Sequence, residues 1–505
     1  MTFTPMGIGL LIFIIFFVIL GSSMVYLVKG SGKRYIICGK SLSFFFVGTM
    51  LMAQAIDSNG TVASAGQAYS AGFWAGFVFP LGVVICLVIT AWLFAKPLNK
   101  MNLLTLPDFF FRRFDATTEL VVSVMMGLSF VLLVAGNFAG SGWIMASVFE
   151  MDYTLALILI ATMVFIYTVC GGLFSCAATD IVQLYPAIFG FVGACVWLIN
   201  THGWDAFTAV APEGFLDMSG LTSMQHGALL NWSVLAAVGL GDVVALDFME
   251  RVFAARDGKT AQISCLYAAF LTAVVGGSCA IIGIMGLKLV GAGATDPRTI
   301  LPAVAMHHVP FVFGLLMIAG VIGAGTSTAN GGILGVSTVL GRNIYQKNIL
   351  RWWRARNGQE MVIQYDEESR RRFDARLLLI SRIMCVPVVI VSIWIAHVKP
   401  EPGVLLALAF DVVLAGCFFP LLLGIYWDKT NTPGALASIV VCSILRLALY
   451  YMIPEELAGL DTLIPPVVSL ALVVVVSLAT QKSSPPKHHV IHTIPDETEV
   501  LAGVC

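Results

Sequence analysis

The chain has 505 residues, 58% of them hydrophobic and 11% charged, with a formal net charge of −1. Its mean hydropathy is +0.91. A water-soluble domain needs about twice that share of charge to cover its surface, and the near-zero balance gives no basis for nucleic-acid binding. Eleven cysteines are scattered without a CxxC pair. Several, such as Cys86, Cys170 and Cys195, stand inside apolar runs, so they read as small buried hydrophobes rather than a metal site or a disulfide framework.

Apolar runs long enough to cross a bilayer recur from end to end. Their spacing predicts thirteen spans, at 6–28, 42–70, 74–97, 119–149, 154–173, 180–201, 227–250, 262–292, 304–340, 376–397, 401–427, 433–453 and 463–480. The first run opens without Lys or Arg and shows no cleavage site, so it is expected to be a retained span rather than a signal peptide. Lys29, Lys33, Arg34 and Lys40 follow it, and Lys100, Arg112 and Arg113 follow the third span. Arg251, Arg256 and Lys259 follow the seventh. Arg342, Lys347, Arg351, Arg354, Arg356 and Arg370 to Arg372 follow the ninth. The intervening loops are poor in cations, and 202–226 carries Asp205, Glu213 and Asp217 instead. The positive-inside rule then places the N-terminus outside and the C-terminus in the cytoplasm, in a multi-pass protein of the plasma (inner) membrane. The tail from Lys482, with His488-His489, is polar and expected to be disordered, with no metal role for the His pair.

Two spans are interrupted. The second reads FFFVGTMLMAQA, then Ile56-Asp57-Ser58-Asn59-Gly60-Thr61, then apolar again. The seventh reads NWSVLAAV, then Gly239-Leu240-Gly241-Asp242, then VVALDFMERVF. A carboxylate at bilayer depth is costly unless it faces a cavity or a partner, and opened backbone is tolerated there only against protein or water. The interruptions lie five spans apart, so the two segments run in opposite directions. That is the signature of two inverted five-span repeats, each opening with a broken helix. The expected organisation is an extra span with its loop (1–41), repeats at 42–201 and 227–427 joined by an extracellular loop at 202–226, two further spans (428–481) and the tail (482–505). Gly-rich kinks with structurally paired acids are the competing explanation.

In the ninth span, Ala324, Ser327 and Thr328 stand at i, i+3 and i+4 and share one helix face. Two hydroxyls beside a backbone carbonyl make part of a shell for a hard monovalent cation, and an opened helix opposite offers the carbonyls of Ala53 and Ile56. Hydroxyls that simply bond their own helix are the alternative.

Four motifs in order carry a resemblance. Gly171-Gly172-Leu173 with Thr179-Asp180 and Gln183 resembles a GGL…TDxxQ loop between the fifth and sixth spans of the solute:sodium symporter family. TLPDFFFRRF at 105–114, ERVFAARDGKTA at 250–261 and FFPLLLGIYWDKTNTPGALA at 418–437 resemble further elements of that family, which includes proline, pantothenate, sialic acid and sugar symporters. The resemblance covers roughly residues 5 to 455. It implies an all-α membrane protein with the leucine-transporter fold, a 5+5 inverted repeat. It also implies a sodium site at Ala53, Ile56, Ala324, Ser327 and Thr328. A proton as coupling ion stays open, because Asp57 follows Ile56 and can titrate.

The chain departs from better-known members where the solute would sit. Asp242 stands in place of an aromatic residue of the proline-type symporters, and Asp57 in place of a small polar one. A buried carboxylate wants a cationic partner, so an amine-bearing or cationic solute is expected. Asp242 would be its counter-ion, with Gln54, Asp57, Ser58, Asn59 and Asn137 around it. Pairing of Asp242 or Asp247 with Arg251, or one of the two acids held protonated, is the equal rival. Asp411 is a further acid in the eleventh span; Asp180, Arg251 and Arg256 read as cytoplasmic-end anchors and gate pairs, and Trp143 and Phe248 as packing. No cofactor beyond the coupling sodium is expected, a monomer suffices for transport, and amino-acid, carboxylate or vitamin symport is the alternative within the class. Among other classes, an enzyme is disfavoured by the lack of a catalytic motif, a transporter-like sensor by the short tail, and a channel by the paired helix breaks.

Overall fold

The computed structural model describes residues 4–349, 352–353, 356 and 367–487. Arg351, Arg354 and the His488-His489 pair lie outside the described residues. Everything described is helical apart from turns and one lone parallel bridge between Leu42 and Ala255.

The helices used below are α1 (Pro5–Ser23), α2 (Phe44–Ala55), α3 (Ser58–Ala71), α4 (Phe73–Ile89), α5 (Pro107–Arg113), α6 (Ala116–Phe149), α7 (Tyr153–Gly171) and α8 (Leu173–His202). They continue with α9 (Ala228–Ala236), α10 (Leu246–Ala254), α11 (Gly258–Leu289), α12 (Ile300–His307), α13 (Phe311–Thr338), α14 (Glu367–Val398), α15 (Pro402–Gly416), α16 (Phe418–Tyr426), α17 (Thr432–Met452) and α18 (Leu460–Ala479). Among the described residues, 10 helices are long and apolar enough to cross a bilayer unbroken. Two bent pairs add to them: Ala228–Val244 with Leu246–Ala254, bent by 46°, and Pro402–Gly416 with Phe418–Tyr426, bent by 45°. The remaining expected span is the pair α2 and α3, of 12 and 14 residues, each too short to cross alone.

Local chemistry sets the helix starts. Thr4 accepts from the Gly7 N–H (3.1 Å), with Pro5 at the first helical position. Asp115 and Asp257 cap α6 and α11 by accepting from the Thr118 and Thr260 N–H groups, each at 2.8 Å. Gly172 turns the chain between α7 and α8 with φ 54 and ψ −133, a conformation that L residues avoid. A Cβ there would also stand 2.4 Å from the Tyr35 carbonyl oxygen.

Three expectations about boundaries are corrected. The span expected from residue 180 begins at Leu173, because that one glycine makes the whole turn, so Thr179 is helical along with Asp180 and Gln183. The 105–114 segment contains a helix, α5, opened by Pro107. The span expected from residue 304 starts at Phe311, because Pro310 separates it from the short α12; it runs on through a π-helical stretch to Ile349.

The core lies along the contacts of α13 with α8 and α6, and of α11 with α2, α3 and α4. On the face opposite the start of α1, Asp108 and Glu119 meet Lys347 at 3.0 and 2.6 Å, and Asp108 also pairs with Arg342. All four are buried, so each charge depends on its partners.

Candidate solute and ion site

The first helix break is a capping event. α2 ends at Ile56 (φ −117, ψ 35), and Asp57 is extended (φ −61, ψ 172). The Asp57 carboxylate accepts from the Gly60 N–H at 2.7 Å, capping α3. Its other oxygen accepts from the Asn137 amide at 2.7 Å. The Gly60 N–H is therefore not available to the Ile56 carbonyl, and the carbonyls of the last turn of α2, Ala53 included, lack the intrahelical partners of a continuous helix. Ser58 donates to the Asn137 carbonyl (3.0 Å) and accepts from Ser141 (2.9 Å). Glycines on α6 let the break come close: a Cβ on Gly136 would sit 2.3 Å from the Asn59 amide nitrogen, and one on Gly140 2.6 Å from the Ser58 carbonyl.

The second break follows α9 through a π turn (Ala237–Gly241) and a 3₁₀ turn (Asp242–Val244) to an extended Ala245, ψ 132. Gly241 packs on α15, where a Cβ would lie 2.3 Å from the Phe410 carbonyl oxygen.

α13 passes against the first break. A Cβ on Gly325 would stand 2.1 Å from the Ser58 hydroxyl oxygen, so only glycine permits this approach. The Thr328 hydroxyl donates to the Ala324 carbonyl within its own helix (3.1 Å). The Ser327 hydroxyl is buried and lies against the Asp180 carboxylate of α8.

Between the breaks lies a central chamber of about 20 Å³, room for one water. Gln54, Asp57, Asp242 and Thr328 line it, with Phe79, Phe248 and Phe410 among its apolar walls. Asp242 is 1% exposed and one of its carboxylate oxygens has no partner. Gln54 is buried, with the Asp247 carboxylate as its polar neighbour. Of the expected solute residues, Gln54, Asp57 and Asp242 face the chamber; Ser58, Asn59 and Asn137 stand behind it, at the α3–α6 contact. Phe248 is a chamber wall, whereas Trp143 stacks on Tyr153 (4.8 Å) and donates to the Pro400 carbonyl (2.9 Å), away from the chamber. Phe79 and Phe410 carried no signal in a sequence with 33 phenylalanines. Asp411 is not at the chamber: it pairs with Arg446 on α17.

Toward the opposite face, Asp180 accepts from Gln183 (2.8 Å) and lies in electrostatic reach of Arg251. Arg251 donates to the main-chain carbonyl of Asp247 (2.9 Å), and its Nε and Nη2 are unpartnered, so the expected rival pairing with the Asp242 or Asp247 carboxylate is not made. Below them the start of the first broken helix is tied to the end of the second. The Leu42 N–H donates to Ala254 (3.0 Å), the Arg256 N–H donates to Leu42 (3.1 Å), and the Asn99 amide donates to the carbonyls of Val252 and Ala255 (2.8 and 2.9 Å).

Two interrupted helices meeting at a buried polar chamber, with a hydroxyl-bearing helix against one break, define a secondary transporter. The pattern of the sodium:solute symporter family matches residues 35–442, and the chain belongs to that family. It is therefore a sodium-coupled solute symporter of the membrane and not an enzyme. The chain is 26% identical over 487 residues to a sodium/proline symporter of Staphylococcus aureus, covering 90% of this chain and 88% of that one. It is 25% identical over 468 residues to the human high affinity choline transporter 1, covering 87% and 76%. Its fold matches a substrate-bound, outward-open sodium-coupled sialic acid symporter with a TM-score of 0.74 at 15% identity, over 94% of this chain and 98% of that one. The inward-facing conformation of Mhp1 matches with a TM-score of 0.53 at 12% identity, over 88% and 92%.

Proposed function

We propose that this symporter carries a small solute bearing an amine or quaternary ammonium group, with Asp242 as its counter-charge. The observation that carries the reading is the buried, unpaired Asp242 carboxylate in a chamber walled by Phe79, Phe248 and Phe410. An ammonium group satisfies both features, the carboxylate by charge and the ring faces by cation–π attraction. Choline, named for one relative, has that chemistry. Proline, named for another, brings a cationic nitrogen together with a carboxylate.

Sodium sits, in this reading, between the carbonyls of Ala53 and Ile56 and the carbonyl and hydroxyls of Ala324, Ser327 and Thr328. Support comes from Gly325, which lets α13 touch the break, and from Thr328, which lines the chamber beside Ile56 and Asp57. The start of α1 faces outside, and two five-helix repeats, opening at α2 and α9, alternate access. Sodium from outside ties α2 to α13 and stabilises the opened backbone, so the solute binds more tightly. By linkage the solute tightens sodium by the same factor. The bundle holding the two broken helices then rocks against the rest and opens the chamber inward.

The test is thermal stabilisation of purified protein by choline, proline, simple carboxylates and sugars, each with and without sodium. Choline or another amine is expected to stabilise in a sodium-dependent manner. Asp242→Asn is expected to weaken binding of a cationic solute far more than that of a neutral analogue. Stabilisation by a simple carboxylate, untouched by Asp242→Asn, would show the amine reading to be wrong.

A further inference from the structure

The exposed apolar side chains of α14 run from Leu379 to Val398. At about 1.5 Å per residue that belt is about 30 Å tall, the thickness of a hydrocarbon core. It places one edge of the bilayer at Leu379. α13 packs antiparallel to α14, and its register is fixed by Gly341 in the π-helical stretch, where a Cβ would stand 2.8 Å from the Ile380 Cγ2. Tyr345 is therefore level with Arg376, just past the edge, and Ile349 lies roughly 10 Å past it.

Beyond that edge the chain should turn polar, yet it presents an apolar face. Ile349, Trp352 and Trp353 stand at i, i+3 and i+4 and share one helix side. All three are exposed, the two indoles at 62% and 51%. Helical side chains lean toward the helix N-terminus, which here is back toward the bilayer. The charge around this face is positive. Arg356 lies over the Trp352 ring (5.4 Å) and Arg376 is exposed, and neither meets a carboxylate among the described residues. The neighbouring cations are taken up otherwise: Arg371 and Arg372 by Glu367 and Glu368, and Lys347 by Asp108 and Glu119. The sequence from Tyr345 to Gly358 contains no acidic residue.

We propose that Tyr345, Ile349, Trp352 and Trp353, with Arg356 and Arg376, form a docking surface for anionic phospholipids of the cytoplasmic leaflet. Charge complementarity carries the choice of occupant: that leaflet holds the anionic lipid, and a guanidinium meets a phosphate by two parallel hydrogen bonds. The indoles and the tyrosine ring suit the headgroup level, where an apolar body and a polar edge are both satisfied. α13 and α14 lie outside the bundle that rocks, so the lipid holds the part of the protein that the broken helices move against. The inference takes from the proposed function only its side of the membrane.

The experiment places the full-length protein in nanodiscs that mix phosphatidylcholine and phosphatidylglycerol, with brominated acyl chains on one lipid or the other. Bromine quenches nearby indoles. The chain has 10 tryptophans, so the signal of the two at issue is the difference between the parent and Trp352→Phe/Trp353→Phe. Brominated phosphatidylglycerol is expected to half-quench them at a mole fraction about fivefold or more below that of brominated phosphatidylcholine, since one basic residue at an anionic surface contributes about that factor. Arg356→Gln with Arg376→Gln is expected to remove most of this preference at an unchanged melting temperature, and 1 M salt to weaken it, because charges are then screened within about 3 Å. Equal quenching by the two lipids, or a preference that survives in the double variant, overturns the proposal. So does the absence of quenching by either lipid, which would leave the face to a protein partner. Nanodiscs offer the same lipids to both faces, so these outcomes do not depend on orientation. Sidedness is read from Arg356→Cys, which an impermeant thiol reagent is expected to label only after cells are permeabilised; labelling in intact cells would overturn the cytoplasmic placement alone.

Discussion

Gly325→Ala tests the proposed ion site through geometry rather than by deleting a ligand. The added Cβ would lie 2.1 Å from the Ser58 hydroxyl oxygen and 2.5 Å from the Ser58 Cβ. Carbon atoms rest about 3.5–4.0 Å apart, so α13 and the first break must separate by roughly 1 Å. Metal sites tolerate displacements of about 0.2 Å. Overpacking of this kind costs about 1–3 kcal/mol. If the cost falls on the sodium-bound arrangement, it weakens sodium by about 5–150-fold. The assay is the sodium concentration giving half-maximal thermal stabilisation of purified protein, which needs no knowledge of the solute. Ser58→Gly in the Gly325→Ala background removes the two nearest clashing atoms, leaving the Ser141 hydroxyl oxygen at 2.9 Å, and is expected to restore part of the affinity, a coupling read from a double-mutant cycle. Gly127→Ala is the control, since nothing lies within 4 Å of that position. It is expected to leave sodium affinity alone and to stabilise the helix by about 0.4–1 kcal/mol. An unchanged sodium midpoint in Gly325→Ala, or no rescue by Ser58→Gly, would refute the placement of the ion between α13 and the break.

Ser327→Ala is expected to raise the sodium midpoint of thermal stabilisation far more than it lowers the melting temperature in sodium-free buffer; an unchanged midpoint with a large loss of stability without sodium would contradict this. Asp57→Asn keeps an acceptor for the Gly60 N–H and is expected to retain sodium-driven uptake, whereas Asp57→Ala loses the cap and about 0.5–2 kcal/mol of stability. Uptake driven by a proton gradient in the parent and lost in Asp57→Asn would instead make Asp57 the coupling group. Asn99→Ala leaves the carbonyls of Val252 and Ala255 without a donor, at about 1–3 kcal/mol. It is expected to raise thiol labelling of an engineered cysteine at Arg251 from the inner side, and equal labelling in the two proteins would remove Asn99 from the inner seal.

What the sequence made legible followed from patterns with strong physical constraints. Asp57 and Asp242 in apolar runs marked both breaks, because a carboxylate at that depth must be explained. The i, i+3, i+4 spacing of Ala324, Ser327 and Thr328 marked one helix face, of which Thr328 lines the chamber beside Ile56 and Asp57 while Ser327 lies toward Asp180. Side-chain direction within the break was not legible. Ser58 and Asn59 belong to the same polar stretch as Asp57, yet they point at α6, because Gly136 and Gly140 there admit them. The chamber walls were also hidden: nothing distinguishes Phe79 or Phe410 from other phenylalanines until distant helices meet. Asp411 looked like a chamber acid because its partners, Arg446 and Thr462, come from α17 and α18. The end of the fifth span at Gly172 was legible, but the start of the sixth was set at 180 rather than Leu173, because apolar content falls around Thr179 to Gln183 although the helix runs through them.

The barriers on the two sides of the chamber differ in kind, and this bears on how the cycle runs. Toward the opposite face the seal is polar: two main-chain hydrogen bonds of Leu42 with Ala254 and Arg256, and the two donated by Asn99. At about 0.5–1.5 kcal/mol net for each bond, opening there costs roughly 2–6 kcal/mol. Toward the start of α1 the partition is Phe79, with a roomy cavity beyond it. Displacing an aromatic side chain breaks no ion pair and is quickly reversed. In the proposed orientation the outer side is therefore the easily crossed one, and the inner side opens only when something offsets its hydrogen bonds. Sodium and solute bound together can do so only by binding more tightly to the state in which the seal is broken. The linkage between sodium and solute should thus be largest in variants that keep the inner seal intact and smallest in Asn99→Ala, where part of that cost has already been removed.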